Sequence, residues 1–203
     1  MCHHFHLATT LPEDFVLGFG PPQGWPEAVE RAVVAAYPLK PVAGLRAIDE
    51  GLESFVAEWG LLPRWWKPSD KTPKRSAFQR KTFNARSETA ATKPTFRDAM
   101  KRRRCLLPVA EFFEKDHYFG TGEPMSFAGL WESWLGDDGE VLTATLLTTE
   151  PNAEVQGVGH HRMPVLLTTP ELRAQWLERG ETPGMFEPLA DGVLGVRYAA
   201  EVR

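Results

Sequence analysis

The sequence predicts an α+β fold, mostly antiparallel β-sheet in a barrel-like form with a few peripheral helices. Seventeen prolines and 17 glycines divide the 203 residues into many short elements. Two turn sequences, Gly120–Pro124 and Gly136–Gly139, link the second strand-like run to the third and the third to the fourth. Six runs rich in β-branched and aromatic residues are predicted strands: Ser54–Trp59, Cys105–Phe113, Met125–Trp134, Val141–Thr149, Pro164–Thr168 and Val193–Tyr198.

Helix signals are fewer than strand signals. The clearest predicted helix is Pro170–Arg179, which has Thr169 as N-cap, proline in its first turn and Gly180 after its end. Trp25–Ala36 and Phe96–Arg103 are weaker candidates. Sheet is therefore the expected framework, with helices at its periphery.

Composition predicts one domain over residues 1–203, because 42% apolar content suffices for one full core. No apolar run has the length of a membrane span, and the first residues do not resemble a secretion signal. We therefore expect a soluble, intracellular protein with no membrane partner, and a monomer by default. Cys2 and Cys105 are expected to be free thiols, with Cys105 a small buried hydrophobe.

Charge is segregated along the chain. The segment Arg64–Arg104, called the basic block below, holds 14 lysines and arginines and three acidic residues, although the whole chain carries a net charge of −4. Trp65 and Trp66 open this block, and nucleic-acid bases stack on aromatic rings while cations hold the phosphates. The block predicts a surface for single-stranded nucleic acid, and the alternative is an ordinary solvated loop.

The second residue predicts covalent chemistry. Removal of Met1 would leave Cys2 with a free α-amine, whose pKa of about 7.8 keeps much of it uncharged and nucleophilic at neutral pH. The amine can attack a carbonyl, and the thiol of the same residue can then close a thiazolidine ring. Aldehydes are the expected targets.

Alternation predicts that the N-terminus is a short strand with Cys2, His4 and His6 on one face, opposite Phe5 and Leu7. A thiol and two imidazoles also suit Zn²⁺, and the mature terminus could wrap Cu²⁺ or Ni²⁺. No second ligand cluster with fixed spacing accompanies them. We therefore predict no metal and no other cofactor.

Three further segments carry polar residues that packing does not require: Asn84–Glu88, Glu111–Glu114 and His160–Pro164. Together with Cys2, their order and spacing resemble the SRAP family (SOS response-associated peptidases), proteins that cap abasic sites in single-stranded DNA. The resemblance covers most of the chain. Its other motifs are Trp59–Pro63 with Trp65-Trp66, Arg103–Pro108, Ala128–Glu132 and Thr148-Thr149.

The resemblance implies a role for each matched residue. Cys2 would join the ring-opened deoxyribose aldehyde as a thiazolidine. Asn84 would orient the reacting sugar, Glu114 would relay protons to and from the α-amine, and His160 would help to open the sugar ring. The residues implied in DNA contact are Arg86, Arg162, Trp65 and Trp66.

The chain departs from the family pattern at several positions. His3 and His4 follow the cysteine where the family has Gly-Arg, and His4 is expected to touch a phosphate when protonated. Glu111 and Lys115 replace a usual glycine and tryptophan. Tyr37–Pro41 is the nearest match to the family segment Arg-Tyr-Asn-x-Ala-Pro.

Two alternative functions stay open. One is a cysteine peptidase with an N-terminal nucleophile, whose only cleavage could be the removal of Met1. The other is a noncovalent module for single-stranded DNA, in which Cys2 is incidental.

Overall fold

Sheet dominates residues 2–136 and 139–201, which are the residues that the computed structural model describes. The strands are β1 (Phe5–Leu7), β2 (Ala35–Ala36), β3 (Pro41–Ile48), β4 (Gly51–Trp59), β5 (Asn84–Arg86), β6 (Arg104–Glu114), β7 (His117–Gly120), β8 (Met125–Gly136), β9 (Gly139–Thr149), β10 (Met163–Pro164), β11 (Leu166–Leu167) and β12 (Gly195–Tyr198). The helices are α1 (Trp25–Arg31), α2 (Arg75–Gln79), α3 (Ser87–Ala90), α4 (Arg97–Arg102), α5 (Ala153–Gly157) and α6 (Pro170–Arg179), with a 3₁₀ turn at Ala199–Glu201. The predicted α+β class is confirmed.

Five of the described strands close into a barrel. Strand β3 pairs antiparallel with β4 and β6, and β8 pairs antiparallel with β6 and β9. The ring is completed by β4, which runs parallel to β9. Closure pairs each barrel strand on both sides, and the parallel pairs β4–β9 and β5–β9 make the sheet mixed.

Buried side chains form two apolar clusters among the described residues. One joins helices α1, α4 and α6 to the sheet and includes Leu106 and Trp176. The other lies where β1 meets β6 and contains Phe5 together with both cysteines. Cys2 and Cys105 are free thiols and fully buried, which confirms the prediction for Cys105.

The N-terminal segment is anchored through β1, which pairs with β2 and β6. The predicted alternation holds for His4 and His6, whose ring centroids are 5.1 Å apart. It is wrong for Cys2, which is buried in the same cluster as Phe5. The reason is that Cys2 lies three residues before β1, so the strand's period of two residues does not extend to it.

Most predicted elements are present, with corrected bounds. Helix α6 has the predicted ends, and Thr169 Oγ1 accepts a hydrogen bond from the Leu172 N–H at 3.3 Å. The run Pro164–Thr168 falls within two short strands, β10 and β11, and the candidate helix Trp25–Ala36 ends at Arg31 before β2.

Strands β2, β3, β5 and β7 were not predicted, and Gly120–Pro124 leads from β7 rather than from the preceding long strand. Strands β8 and β9 are paired up to Gly136 and Gly139, and the middle of this predicted hairpin lies outside the described residues. No helix in the described part of the chain is long and apolar enough to cross a membrane.

Candidate functional site

Three residues that are far apart in the sequence, Asn84, Glu114 and His160, lie together near Cys2. Asn84 Nδ2 donates to the Cys2 carbonyl at 2.7 Å, and His160 Nε2 lies 3.2 Å from Glu114 Oε2. The His4 carbonyl links Cys2 to the strand that carries Glu114. It accepts from the N–H of Phe113, the residue before Glu114, at 3.0 Å and lies 3.5 Å from Cys2 Sγ. Cys2 is thereby held at the end of β6, where Glu114 lies.

Asn84 is positioned by β5, a three-residue strand that runs parallel to β9 with Asn84 opposite Leu146. This pairing fixes the strand register, so the side chain is directed at Cys2 rather than at the opposite face. Asn84 is 9% exposed, and its Oδ1 is buried without a hydrogen-bond partner among the described residues. An acceptor of this kind is available to a bound ligand.

Glu114 and His160 are both buried in a way that favours their uncharged forms. Burial raises the pKa of Glu114 to about 7 and lowers the pKa of His160. His160 Nδ1 lies 2.7 Å from the Arg162 carbonyl, an acceptor, so this nitrogen carries a hydrogen and Nε2 faces Glu114. One proton can therefore lie on either side of the Glu114–His160 contact.

The Cys2 thiol is fully buried, and the environment favours its protonated form. Burial raises the pKa of Cys2, and the nearby Glu114 raises it further. The thiol lies 3.5 Å from the His4 carbonyl, to which it donates. Cys2 is thus a positioned thiol rather than a resting thiolate.

Arg162 is held in place by hydrogen bonds next to the site. Its guanidinium forms two hydrogen bonds with Glu88, at 2.6 and 3.0 Å, and donates to the Thr148 carbonyl at 2.6 Å. Arg162 is only 8% exposed, so these partners rather than the predicted phosphate occupy it. Glu88, whose pKa is lowered by the hydrogen bonds from Arg162, was not among the predicted site residues, although it ends the quoted motif Asn84–Glu88.

Trp65 and Trp66 are placed differently, although both open the basic block. Trp65 is 54% exposed, and its Nε1 donates to the Pro94 carbonyl at 3.3 Å. Trp66 is 4% exposed and packs against Phe78 and Trp134, with ring centroids 5.9 and 5.6 Å away. Of the two rings, only Trp65 presents substantial surface to solvent. Burial leaves Trp66 without the face that the predicted DNA contact requires.

His4 is buried in an aromatic environment rather than directed at solvent. Its ring stacks on Tyr37 with a centroid distance of 4.3 Å and an interplanar angle of 11°, and Nδ1 lies 3.1 Å from the Ala36 carbonyl. Burial lowers the pKa of His4, which disfavours the protonated form that a phosphate contact needs. Tyr37 was predicted only as part of a weak motif match, and no local signal indicates the stack.

The described residues contain no group of three or more histidine, cysteine, aspartate or glutamate side chains that could hold a metal ion. The thiol of Cys2 and the rings of His4 and His6 do not converge, because Cys2 is buried with the apolar cluster around Phe5.

The fold and the site define a class of protein: a closed barrel beside which a thiol, an amide, a carboxyl and an imidazole lie together around one cysteine. A family model described as SOS response associated peptidase (SRAP) matches residues 1–194. The chain belongs to the SRAP family, as its motifs predict.

Curated relatives and solved structures agree with this assignment. Abasic site processing protein YoqW of Bacillus subtilis is 32% identical over 196 residues, which cover 90% of this chain and 82% of YoqW. Abasic site processing protein HMCES of Gallus gallus is 27% identical over 156 residues, covering 62% of this chain and 45% of HMCES. A crystal structure of a protein from Bordetella bronchiseptica has the same fold, with a TM-score of 0.76 at 22% identity over 97% of this chain and 99% of that chain.

Proposed function

We propose that this protein caps abasic sites in single-stranded DNA by linking Cys2 to the deoxyribose aldehyde as a thiazolidine. The proposal depends on the 2.7 Å hydrogen bond from Asn84 Nδ2 to the Cys2 carbonyl, which fixes the backbone of the reacting residue. Glu114 and His160 lie beside it as a proton-sharing pair. The names of the relatives YoqW and HMCES, both abasic site processing proteins, support the same substrate.

The reaction begins once Met1 has been removed and the α-amine of Cys2 is free. The amine nitrogen attacks the aldehyde carbon, the carbonyl oxygen takes up a proton, and loss of one water leaves an imine. The Cys2 sulfur then adds to the imine carbon, and the thiol proton goes to the nitrogen. The net change is the loss of one water and the formation of a five-membered ring.

The polar residues supply the proton transfers that these steps need. Glu114, with a pKa of about 7, can take a proton from the amine and return it to the departing hydroxyl near neutral pH. His160 Nε2 faces the same carboxyl and can protonate the ring oxygen of the closed sugar. The bond from that oxygen to the anomeric carbon then breaks, the anomeric hydroxyl loses its proton, and the aldehyde is released. Asn84 Oδ1 is the buried acceptor for an amine hydrogen or a sugar hydroxyl.

The buried thiol favours capping over the peptidase alternative. An acyl-transfer nucleophile needs a thiolate, and burial raises the pKa of Cys2. In ring closure the thiol adds only after the amine has reacted, so a resting thiolate is not needed. This order of steps agrees with an amine and a thiol acting on one carbon.

The DNA strand is proposed to bind along the exposed part of the basic block. Arg86 is exposed two residues after Asn84 and would hold a phosphate beside the lesion. Trp65 offers a ring face that its hydrogen bond to Pro94 holds in place. Arg162 becomes a positioning residue, since its carbonyl accepts from His160 and its guanidinium is occupied by other partners.

A denaturing gel tests the proposal. After mass spectrometry has shown that Met1 is absent, the protein is incubated with a single-stranded oligonucleotide that carries one abasic site. We expect a covalent adduct with the parent and with Cys105→Ala, which removes the other buried thiol. We expect no stable adduct with Cys2→Ala, and an adduct equal to that of the parent would refute the proposal.

The same assay tests the hydrogen bond that fixes Cys2. Asn84→Ala should slow adduct formation by about fivefold, since one hydrogen bond contributes about 1 kcal/mol. Asn152→Ala is the matched control, because Asn152 is also buried and bonds to the backbone, at the start of α5. Equal rates of adduct formation in the two variants would show that Asn84 has no specific role in the reaction.

A further inference from the structure

We propose that Tyr37, backed by His4, is a stacking platform for an unpaired nucleobase next to the lesion. This inference rests on the proposed function for the choice of ligand. Its structural basis is separate, because neither ring takes part in the covalent chemistry.

The stack lies close to the reacting residue. The rings of His4 and Tyr37 are nearly parallel, with centroids 4.3 Å apart, and Phe113 contacts His4 with its ring centroid 5.6 Å away. The His4 carbonyl lies 3.5 Å from Cys2 Sγ. A base on the platform would therefore be a near neighbour of a sugar bound to Cys2.

One side of the Tyr37 ring is covered by His4, and 47% of Tyr37 remains exposed. Its backbone is held by a turn in which the Lys40 N–H donates to the Tyr37 carbonyl at 3.1 Å. The next hydrogen bond, from Leu39 to the Trp59 carbonyl at 2.8 Å, ties this turn to the barrel. An exposed aromatic ring that is already ordered loses little entropy when a base stacks on it.

The charges around the platform suit a nucleic-acid strand better than an apolar partner. Lys40 is exposed in the same turn as Tyr37, and Lys115 is exposed directly after Glu114. Both lysines can reach phosphates that flank the stacked base.

Fluorescence of 2-aminopurine tests the platform, because stacking quenches this base. Two oligonucleotides carry it on the 5′ or the 3′ side of a tetrahydrofuran abasic analogue, which has no aldehyde and cannot cross-link. We expect quenching of one of them by the parent and by Tyr37→Phe, and none by Tyr37→Ala. Affinity for that oligonucleotide should fall by about 5- to 100-fold in Tyr37→Ala.

Tyr198→Ala is the matched control, because Tyr198 is 45% exposed and also lies beside a histidine ring, that of His117 at 5.3 Å. It should quench like the parent. Replacing the stacked base by a second tetrahydrofuran should lower the affinity of the parent for the oligonucleotide. It should not lower the affinity of Tyr37→Ala any further. If thermal melting shows that Tyr37→Ala is unfolded, Tyr37→Leu keeps an apolar group over His4.

Quenching and affinity in the folded variant equal to those of the parent would overturn the platform. Because the analogue cannot react, this result leaves the Cys2 adduct assay unaffected. Conversely, a protein that forms no adduct but quenches through Tyr37 would refute the capping reaction alone.

Discussion

At the scale of single residues, the proposed reactivity depends on how Glu114 and His160 share one proton. His160 keeps a hydrogen on Nδ1 for the Arg162 carbonyl, so Nε2 either accepts from a protonated Glu114 or donates to its carboxylate. Burial favours the first arrangement, in which neither group is charged. One proton can therefore move between Glu114 and His160, and burial favours its return to the uncharged arrangement.

The free energy of unfolding should depend on whether Glu114 carries this proton. The pKa of Glu114 is about 7 in the folded protein against an ordinary value of 4.5, so the folded state binds the proton more tightly. This stabilising contribution is complete below about pH 4.5 and is lost as the pH rises through about 7. We expect the free energy of unfolding of the parent to fall relative to that of Glu114→Gln over this interval.

Urea denaturation at a series of pH values between 4 and 8 measures the difference. Glu123→Gln removes a carboxyl from an exposed turn and should show no comparable trend. A difference between the parent and Glu114→Gln that stays constant with pH would contradict a raised pKa.

Sequence motifs could identify the four site residues but not their surroundings. Cys2, Asn84, Glu114 and His160 were predicted because residue type and order are properties of the chain. The burial of His4, by contrast, depends on rings from other strands, about which a motif carries no information. The same limit applies to two adjacent tryptophans, since their identical chemistry does not say which one faces the core.

At the scale of elements, the predicted strands were those whose composition agrees with their burial. Strand β3 was missed because Gly44 and two alanines make it look like a loop, yet Gly44 lies opposite Phe55. A Cβ on Gly44 would come within 2.8 Å of the Phe55 ring, so glycine is needed there for close packing. Strand β7 was missed because its turn is Lys115-Asp116, with φ values of 49° and 63°, instead of a glycine-containing pair.

Helices α4 and α6 share one cation at their C-terminal ends. Arg104 donates through Nε to the Trp176 carbonyl at 2.8 Å, through Nη1 to the Met100 carbonyl at 3.2 Å, and through Nη2 to the Leu177 carbonyl at 3.2 Å. Lysine cannot reproduce this fork of donors. We expect Arg104→Lys to lower the free energy of unfolding by about 2 kcal/mol, the scale of a hydrogen bond to a charged group.

Chemical denaturation measures this loss. Arg102→Lys is the control, because Arg102 is exposed at the end of α4 and should change stability by less than about 0.5 kcal/mol. Equal stability of the two variants would mean that Arg104 does not hold the helices together.

At the scale of the whole molecule, charge is divided between a basic block and an acidic remainder. The sequence is enough to count the charges in each part, but it does not show which cations are free to bind a partner. Arg64 and Arg103 both pair with Glu132, at 2.9 and 2.6 Å, and Arg75 forms two hydrogen bonds with Glu58. Paired cations cost more to redirect to phosphates, so exposed ones such as Arg86 and Lys93 should contribute most to DNA binding.

The salt dependence of binding to undamaged single-stranded DNA should measure these contacts. Each phosphate contact contributes about −0.7 to the slope of log affinity against log salt concentration. The double variant Arg86→Gln with Lys93→Gln should therefore have a slope shallower by about 1.4. Fluorescence anisotropy at several salt concentrations gives the slopes.

Arg31→Gln is the control, since Arg31 is exposed in α1 outside the basic block. It should leave the slope unchanged. A double variant with the slope of the parent would place the DNA surface elsewhere on the molecule.

The site draws its groups from positions 2, 84, 114 and 160, and this spacing has a consequence for synthesis on the ribosome. Cys2, which carries the thiol, is translated before its partners, and the imidazole of His160 follows 158 residues later. A nascent chain therefore carries Cys2 as an ordinary cysteine, without the partners that position it. In the proposed reaction, the groups that assist Cys2 are therefore all present only after synthesis has passed His160.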